Sequence, residues 1–256
     1  MPRPLPPHVV YLQTLGVMPF KIILRIKKLN VYIDHFLLFS ETPESTFNKF
    51  IDNYNLIELV PYSNFGFFKS GMLWMKNSSL EILNYPKNIP APNSNQFKNR
   101  FVGIALTTDL SPENTLKLIK KNEINSSEIL DEEVIDKSGN KVTIAKVILL
   151  NDYFHDFRVF FIFYTSDYIG KKEKELSDKD CSIFHKCEIS VNNSKKIIDL
   201  FFKLGLEQTD KKSFLTKRYQ ELQIIDSEDL STEIISLEIK INNNKIDIVS
   251  ELSTMF

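Results

Sequence analysis

Two side chains are candidates for chemistry because each is a polar residue set in an apolar run. His35 lies in Ile33-Asp34-His35-Phe36-Leu37-Leu38, and Glu81 lies in Ser79-Leu80-Glu81-Ile82-Leu83. An imidazole among apolar neighbours is commonly a satisfied, partly buried side chain. A carboxylate there either faces solvent on an alternating strand or sits in a cleft with a perturbed pKa, where it could act as a ligand or general base. If both faced one concavity, the pair could serve as acid and base. Trp74, Phe67, Phe68, Phe161 and Phe163 could line an apolar pocket beside Glu81, or could simply be core.

Other constellations offer less. Cys181, His185 and Cys187 lie close together, but a structural zinc site needs four ligands, usually in paired short spacings. His155-Asp156 reads as a surface turn. The chain has no Gly-x-Gly-x-x-Gly, no phosphate-loop lysine motif and no Gly-x-Ser-x-Gly elbow, so the sequence supports neither a nucleotide cofactor nor serine hydrolysis.

The elements that position these residues repeat. Ile33 to Ser40 followed by Thr42-Pro-Glu-Ser-Thr matches Val102 to Thr108 followed by Ser111-Pro-Glu-Asn-Thr, 69 residues on. Each reads as a strand and then a helix, with a hydroxyl at the N-cap, proline at the first helical position and glutamate in the first turn. A fainter copy runs from Cys187-Glu-Ile-Ser-Val into a helix from Ser194 that ends near Gly205. Each copy is followed by several strand-like runs. The expected organisation is therefore a basic extension over 1–29, modules at 30–86, 101–168 and 182–248, a Pro/Asn-rich linker at 87–100, a charged linker at 169–181 and a tail at 249–256.

Composition bounds the rest. At 43% hydrophobic and 25% charged, 256 residues suffice for a sizeable core. The 32 basic residues against 33 acidic ones argue against a nucleic-acid partner. No run reaches the roughly 20 apolar residues of a membrane-spanning helix. Two cysteines and no secretory leader point to a cytoplasmic protein with reduced thiols. Met1 to Ile33 nevertheless lacks Asp and Glu and carries five basic residues, so organelle targeting is an open alternative.

A repeated βαβββ unit that begins with Asp-His and ends with Leu-Glu resembles the vicinal oxygen chelate superfamily of glyoxalases and extradiol dioxygenases. More narrowly, Ala105-Leu106-Thr107-Thr108-Asp109 and Phe160-Phe161-Ile162 resemble the middle module of its glyoxalase-like domain family. The resemblance covers residues 30–241 and implies an α+β fold in which paired modules form an open barrel and a third, partial module packs beside them. It also implies a divalent metal held by the first and last strands of each module, with His35 and Glu81 carried over from module one. Module two departs from the pattern, because the repeat offset places Ile104, and alignment of the last strand places Phe163, where ligands would stand. An offset of about 150 brings His185 opposite His35, and Ser236-Leu237-Glu238-Ile239 repeats the run around Glu81, so His185 and Glu238 are an alternative second pair; a slip of one residue would exchange His185 for Lys186.

Two functions follow as expectations. One is a metal-dependent lyase, isomerase or dioxygenase acting on a small oxygenated substrate. The other is a metal-free module that binds a small molecule in the same concavity. Pairing of modules within one chain leaves a homodimer open.

Overall fold

In the computed structural model, the described residues are 29–65, 68–84, 99–136 and 138–254. The expected basic extension, apart from Leu29, lies outside them, as do most of the Pro/Asn-rich linker and Phe67.

Module one consists of β1 (Val31–Ser40), α1 (Pro43–Tyr54), β2 (Ile57–Asn64), β3 (Lys69–Met75) and β4 (Ser78–Asn84). Module two repeats it with β5 (Asn99–Thr108), α2 (Pro112–Lys121), β6 (Leu130–Ile135), β7 (Lys141–Leu149) and β8 (Arg158–Tyr164). The two form one eight-stranded sheet in the order β2-β3-β4-β1-β5-β8-β7-β6, curled into a half-barrel. β1 and β5 pair antiparallel at its centre, and each pairs in parallel with the last strand of its own module.

Local sequence explains the helices. Ser111 caps α2 by accepting from the Asn114 N–H at 3.3 Å. Thr42 makes no such bond; instead its N–H donates to Ser40 Oγ, which also meets the Thr46 hydroxyl at 2.8 Å. The segment expected to be a charged linker instead forms α3 (Tyr168–Leu176), whose Leu176 is buried with Leu59, Met72, Trp74 and Cys181. Its charges occupy the outer face and hid two apolar anchors, Ile169 and Leu176.

Module three comprises β9 (Ile183–Val191), α4 (Ser194–Lys203), β10 (Glu207–Asp210), β11 (Ser213–Leu215) and β12 (Glu221–Asp226). It is followed by β13 (Glu233–Ile241), β14 (Asn244–Asp247) and α5 (Ile248–Thr254). The second sheet runs β10-β11-β12-β9-β13-β14. β13 pairs antiparallel with β9, as β5 does with β1, so it begins a truncated fourth unit and does not close the third. Residues 249–254, expected to be tail, belong to α5, which packs on β13.

One contiguous core joins the two sheets, and Phe36 meets Phe184 across them at 4.9 Å between ring centroids. A polar fastener accompanies it. The fully buried Gln220 amide accepts from the Ile33 N–H at 2.8 Å and donates to the carbonyls of Ile33 at 2.9 Å and Asn77 at 2.6 Å. Thr216 donates its hydroxyl to the same amide oxygen.

Replacing Gln220 by Ala would leave these main-chain groups unpaired in the interior. At about 1–3 kcal/mol for each unsatisfied group, chemical denaturation should show a loss of at least about 2 kcal/mol, whereas the exposed Gln208→Ala should change little.

Candidate functional site

The site begins with a β-bulge. Ile33 pairs with Leu106 and His35 with Ala105, so Asp34 is an extra residue in β1. Ile33, Phe36 and Leu38 all enter the main core, while Leu37 faces the opposite, concave side with Val102, Ala105, Val147 and Ile162. Strict alternation cannot place residues 33 and 36 on one face; the bulge can. It turns His35 into the concavity while keeping it only 2% exposed.

There His35 is held from both sides. Its Nδ1–H donates to Asp34 Oδ1 at 2.7 Å, and Tyr164 donates its hydroxyl to the same oxygen at 2.9 Å. On the other side Nε2 lies 3.3 Å from Glu81 Oε2. That approach is misaligned, so Nε2 is buried without a hydrogen-bond partner. Burial disfavours a charged imidazole, but the Asp34 and Glu81 carboxylates outweigh it and raise the His35 pKa to about 9. The ring is therefore an imidazolium at neutral pH. Burial, followed by the Asp34 charge, holds the Tyr164 hydroxyl well above its ordinary pKa, so it stays a donor.

His35, Glu81 and Tyr164 sit in the wall of a cavity of about 360 Å³. Leu37, Leu83, Val147, Phe160 and Ile162 make its apolar floor, and the stacked rings of Phe65 and Phe68 and the start of α3 at Tyr168 and Ile169 border it. Glu132 and Arg158 supply the remaining charge. Burial raises the Glu132 pKa, the Glu81 charge adds to this, and Arg158 opposes it.

Of the residues expected to line the pocket, Trp74, Phe161 and Phe163 lie elsewhere. Phe161 and Phe163 stack on each other on the main-core side, and Trp74 packs beneath α3. Phe160, one residue from Phe161, takes the cavity position and meets His35 edge-on at 6.2 Å.

The second pair of sites also differs from expectation. β5 carries its own bulge at Val102, which aligns Ile33 with Phe101 and therefore His35 with Gly103, not Ile104. Since Leu37 pairs with Glu81 and its counterpart Ala105 pairs with Phe160, Phe160 and not Phe163 stands in the place of Glu81. In β9 the bulge falls at His185, so His185 matches Asp34 and Lys186 matches His35. Gln223, opposite Glu188 on β12, matches Glu81; Glu238 is on β13. His185 and Glu238 do approach each other, at 3.9 Å, but on the second sheet, and Lys245 already pairs with Glu238 at 3.0 Å. The four residues do not converge.

No family model and no curated protein matches the sequence. Among solved structures the chain is similar to a hypothetical protein from Staphylococcus aureus, with 14% identity, 84% of this chain and 92% of that one covered, and a TM-score of 0.60. With its paired βαβββ modules and single curled sheet, the chain has a glyoxalase-like fold. Homoprotocatechuate 2,3-dioxygenase from Arthrobacter globiformis also aligns, at 11% identity over 78% of this chain and 60% of that one, TM-score 0.47. So does methylmalonyl-CoA epimerase from Mycobacterium tuberculosis, at 6% identity over 54% and 91%, TM-score 0.41. At such identities the likeness concerns fold alone.

The donor set of this glyoxalase-like chain does not fit the divalent metal that the fold implies. His35 and Glu81 are two ligands. The opposite positions hold Phe160 and Gly103, where a Cβ would come within 2.6 Å of the Arg158 carbonyl oxygen. Among the described residues no three His, Cys, Asp or Glu side chains converge as such a site requires.

The proton on His35 has a consequence for stability. With the folded pKa above the ordinary 6.5, its contribution is fully present below about 6.5 and is lost as pH rises through about 9. The melting temperature of the wild-type protein should exceed that of His35→Gln at neutral pH, and the gap should close in alkaline buffer.

Proposed function

We propose that this chain is a metal-free, small-molecule-binding member of the glyoxalase-like fold. Its concavity takes a largely apolar molecule carrying one oxygen-bearing head group. The observation that carries this reading is the replacement of the second ligand pair by Gly103 and Phe160, which turns half of a metal's surroundings into apolar wall. Enclosure of roughly this volume by aliphatic and aromatic side chains, with a few convergent polar groups, is the usual form of a small-ligand site. The head group is received at His35. An imidazolium in a low-dielectric wall is a strong donor to a carbonyl or carboxylate oxygen, and its buried Nε2 has no competing partner of good geometry.

A second reading is favoured by one feature, the 3.3 Å approach of Glu81 to that nitrogen. The carboxylate beside the imidazolium can accept a proton from a carbon next to the bound oxygen while His35 stabilises the charge that develops there. The chain would then catalyse a proton-transfer isomerisation, with Asp34 and Tyr164 as positioning residues that hold the ring.

Elemental analysis of protein purified from metal-supplemented medium should find well under one divalent ion per chain, unchanged in His35→Ala. Near-stoichiometric metal that disappears in the variant would overturn the metal-free reading. Native mass spectrometry and extraction of the purified chain should recover an apolar small molecule. Leu37→Arg, which places a charge in the apolar floor, should lose it. Glu81→Gln should retain ligand on either reading and abolish turnover only on the second.

A further inference from the structure

A second cavity lies on the other side of α3. Its lining includes Trp74, Lys76, Lys174, Lys217, Arg218 and Tyr219, and Glu173 is its one acidic residue. In a chain whose formal net charge is -1, this is a local excess of cations. None of the four cationic side chains comes within 4 Å of a described carboxylate; Arg218 lies over the face of Tyr32, 4.2 Å from the ring centroid, and its charge also reaches Glu173, so one acid stands against four cations. Unpaired cations converging on a concave surface are the electrostatic complement of an anion.

Two further observations point to a ligand. Trp74 is only 4% exposed, and its Nε1–H, which can only donate, is buried without an acceptor. A buried donor left unpaired beside a cationic cavity is satisfied by an anionic oxygen arriving there. At the rim, Tyr219 is 82% exposed with its backbone in the left-handed region at φ 57. A bulky residue is rarely found in that conformation, and here it presents the ring to solvent above the cations.

We propose that the cavity bounded by β3, α3 and the turn of residues 216–220 binds a nucleoside phosphate, its phosphates held by Lys76, Lys174, Lys217 and Arg218 and its base stacked on Tyr219. Side-chain cations and a stacking ring do the work of the glycine-rich loop that the sequence lacks. The site is separate from the concavity and does not depend on what binds there.

Trp74 is the only tryptophan in the chain, so its fluorescence reports on this cavity directly. Titration of the full-length protein with ADP should give a saturable change, and inorganic pyrophosphate should do the same with weaker affinity. Lys217→Ala/Arg218→Ala should weaken both by about tenfold or more, as loss of two charge-assisted contacts would. Tyr219→Ala should bring ADP down to the level of pyrophosphate. Lys171→Ala/Lys172→Ala, which removes equal charge from the same helix outside the cavity, should alter neither, and circular dichroism should show all variants folded. The site is overturned if neither anion gives a saturable response, or if both charge-removal variants weaken binding equally. Equal affinity for ADP and pyrophosphate would overturn the nucleoside part.

Discussion

The extra residue at Asp34 decides which side of the central sheet His35 faces. Without it, β1 would alternate strictly, and the imidazole that follows Asp34 would point to the wrong side of the sheet. A bulge leaves main-chain groups out of register with the neighbouring strand, and in a buried strand those groups need partners. The Gln220 amide closes on both main-chain groups of Ile33, immediately before the bulge, and the Ser78 hydroxyl donates to the Asp34 carbonyl at 3.2 Å. The position of His35 thus depends on an amide that belongs to another module, far away in sequence.

The electrostatics of the concavity follow from that placement. A cation buried among aliphatic and aromatic side chains is tolerable only when paired, and His35 is flanked by two carboxylates. Asp34 is itself anchored by Tyr164 at the end of β8 in module two, so the charge arrangement spans both modules. The apolar wall keeps the effective dielectric low, which strengthens each of these interactions and any made with a bound oxygen. Glu132, whose carboxylate feels the Arg158 charge, extends the polar strip of the cavity while the floor stays apolar.

Much of this architecture was legible in the sequence, because it rests on signals that repeat. The Thr42-Pro and Ser111-Pro starts marked two helices, and the matched strands before them marked the modules. The pairing of His35 with Glu81 was expected from the family resemblance alone, and the parallel pairing of β1 with β4 brings the two side chains within 3.3 Å. What could not be read was register. Matching bulges keep β1 and β5 at an offset of 68 (His35 to Gly103), whereas the helix caps Thr42 and Ser111 that set the repeat stand 69 apart, so Ile104 was expected in place of Gly103; Phe160 and Lys186 likewise stand where Phe163 and His185 were expected. Asp34 had a local signal, its adjacency to His35, whereas Tyr164 had none, since its partner lies 130 residues away. α3 was missed because its charged face outweighs two anchoring residues, and β13 was misassigned because Ser-Leu-Glu-Ile recurs on a strand of different rank.

The third module shows how repetition allows division of labour. At the places of His35 and Glu81 it carries Lys186 and Gln223, and its β9, with the following β13 and β14, bears a polar face laced by Lys186 with Glu188 and Lys245 with Glu238. Its contribution is Gln220, at the entry to its last strand, together with Phe184 against Phe36. A repeated unit that lacks the His-Glu pair thus serves as a brace for its sibling, fixing the geometry of a concavity to which it contributes no ionisable group.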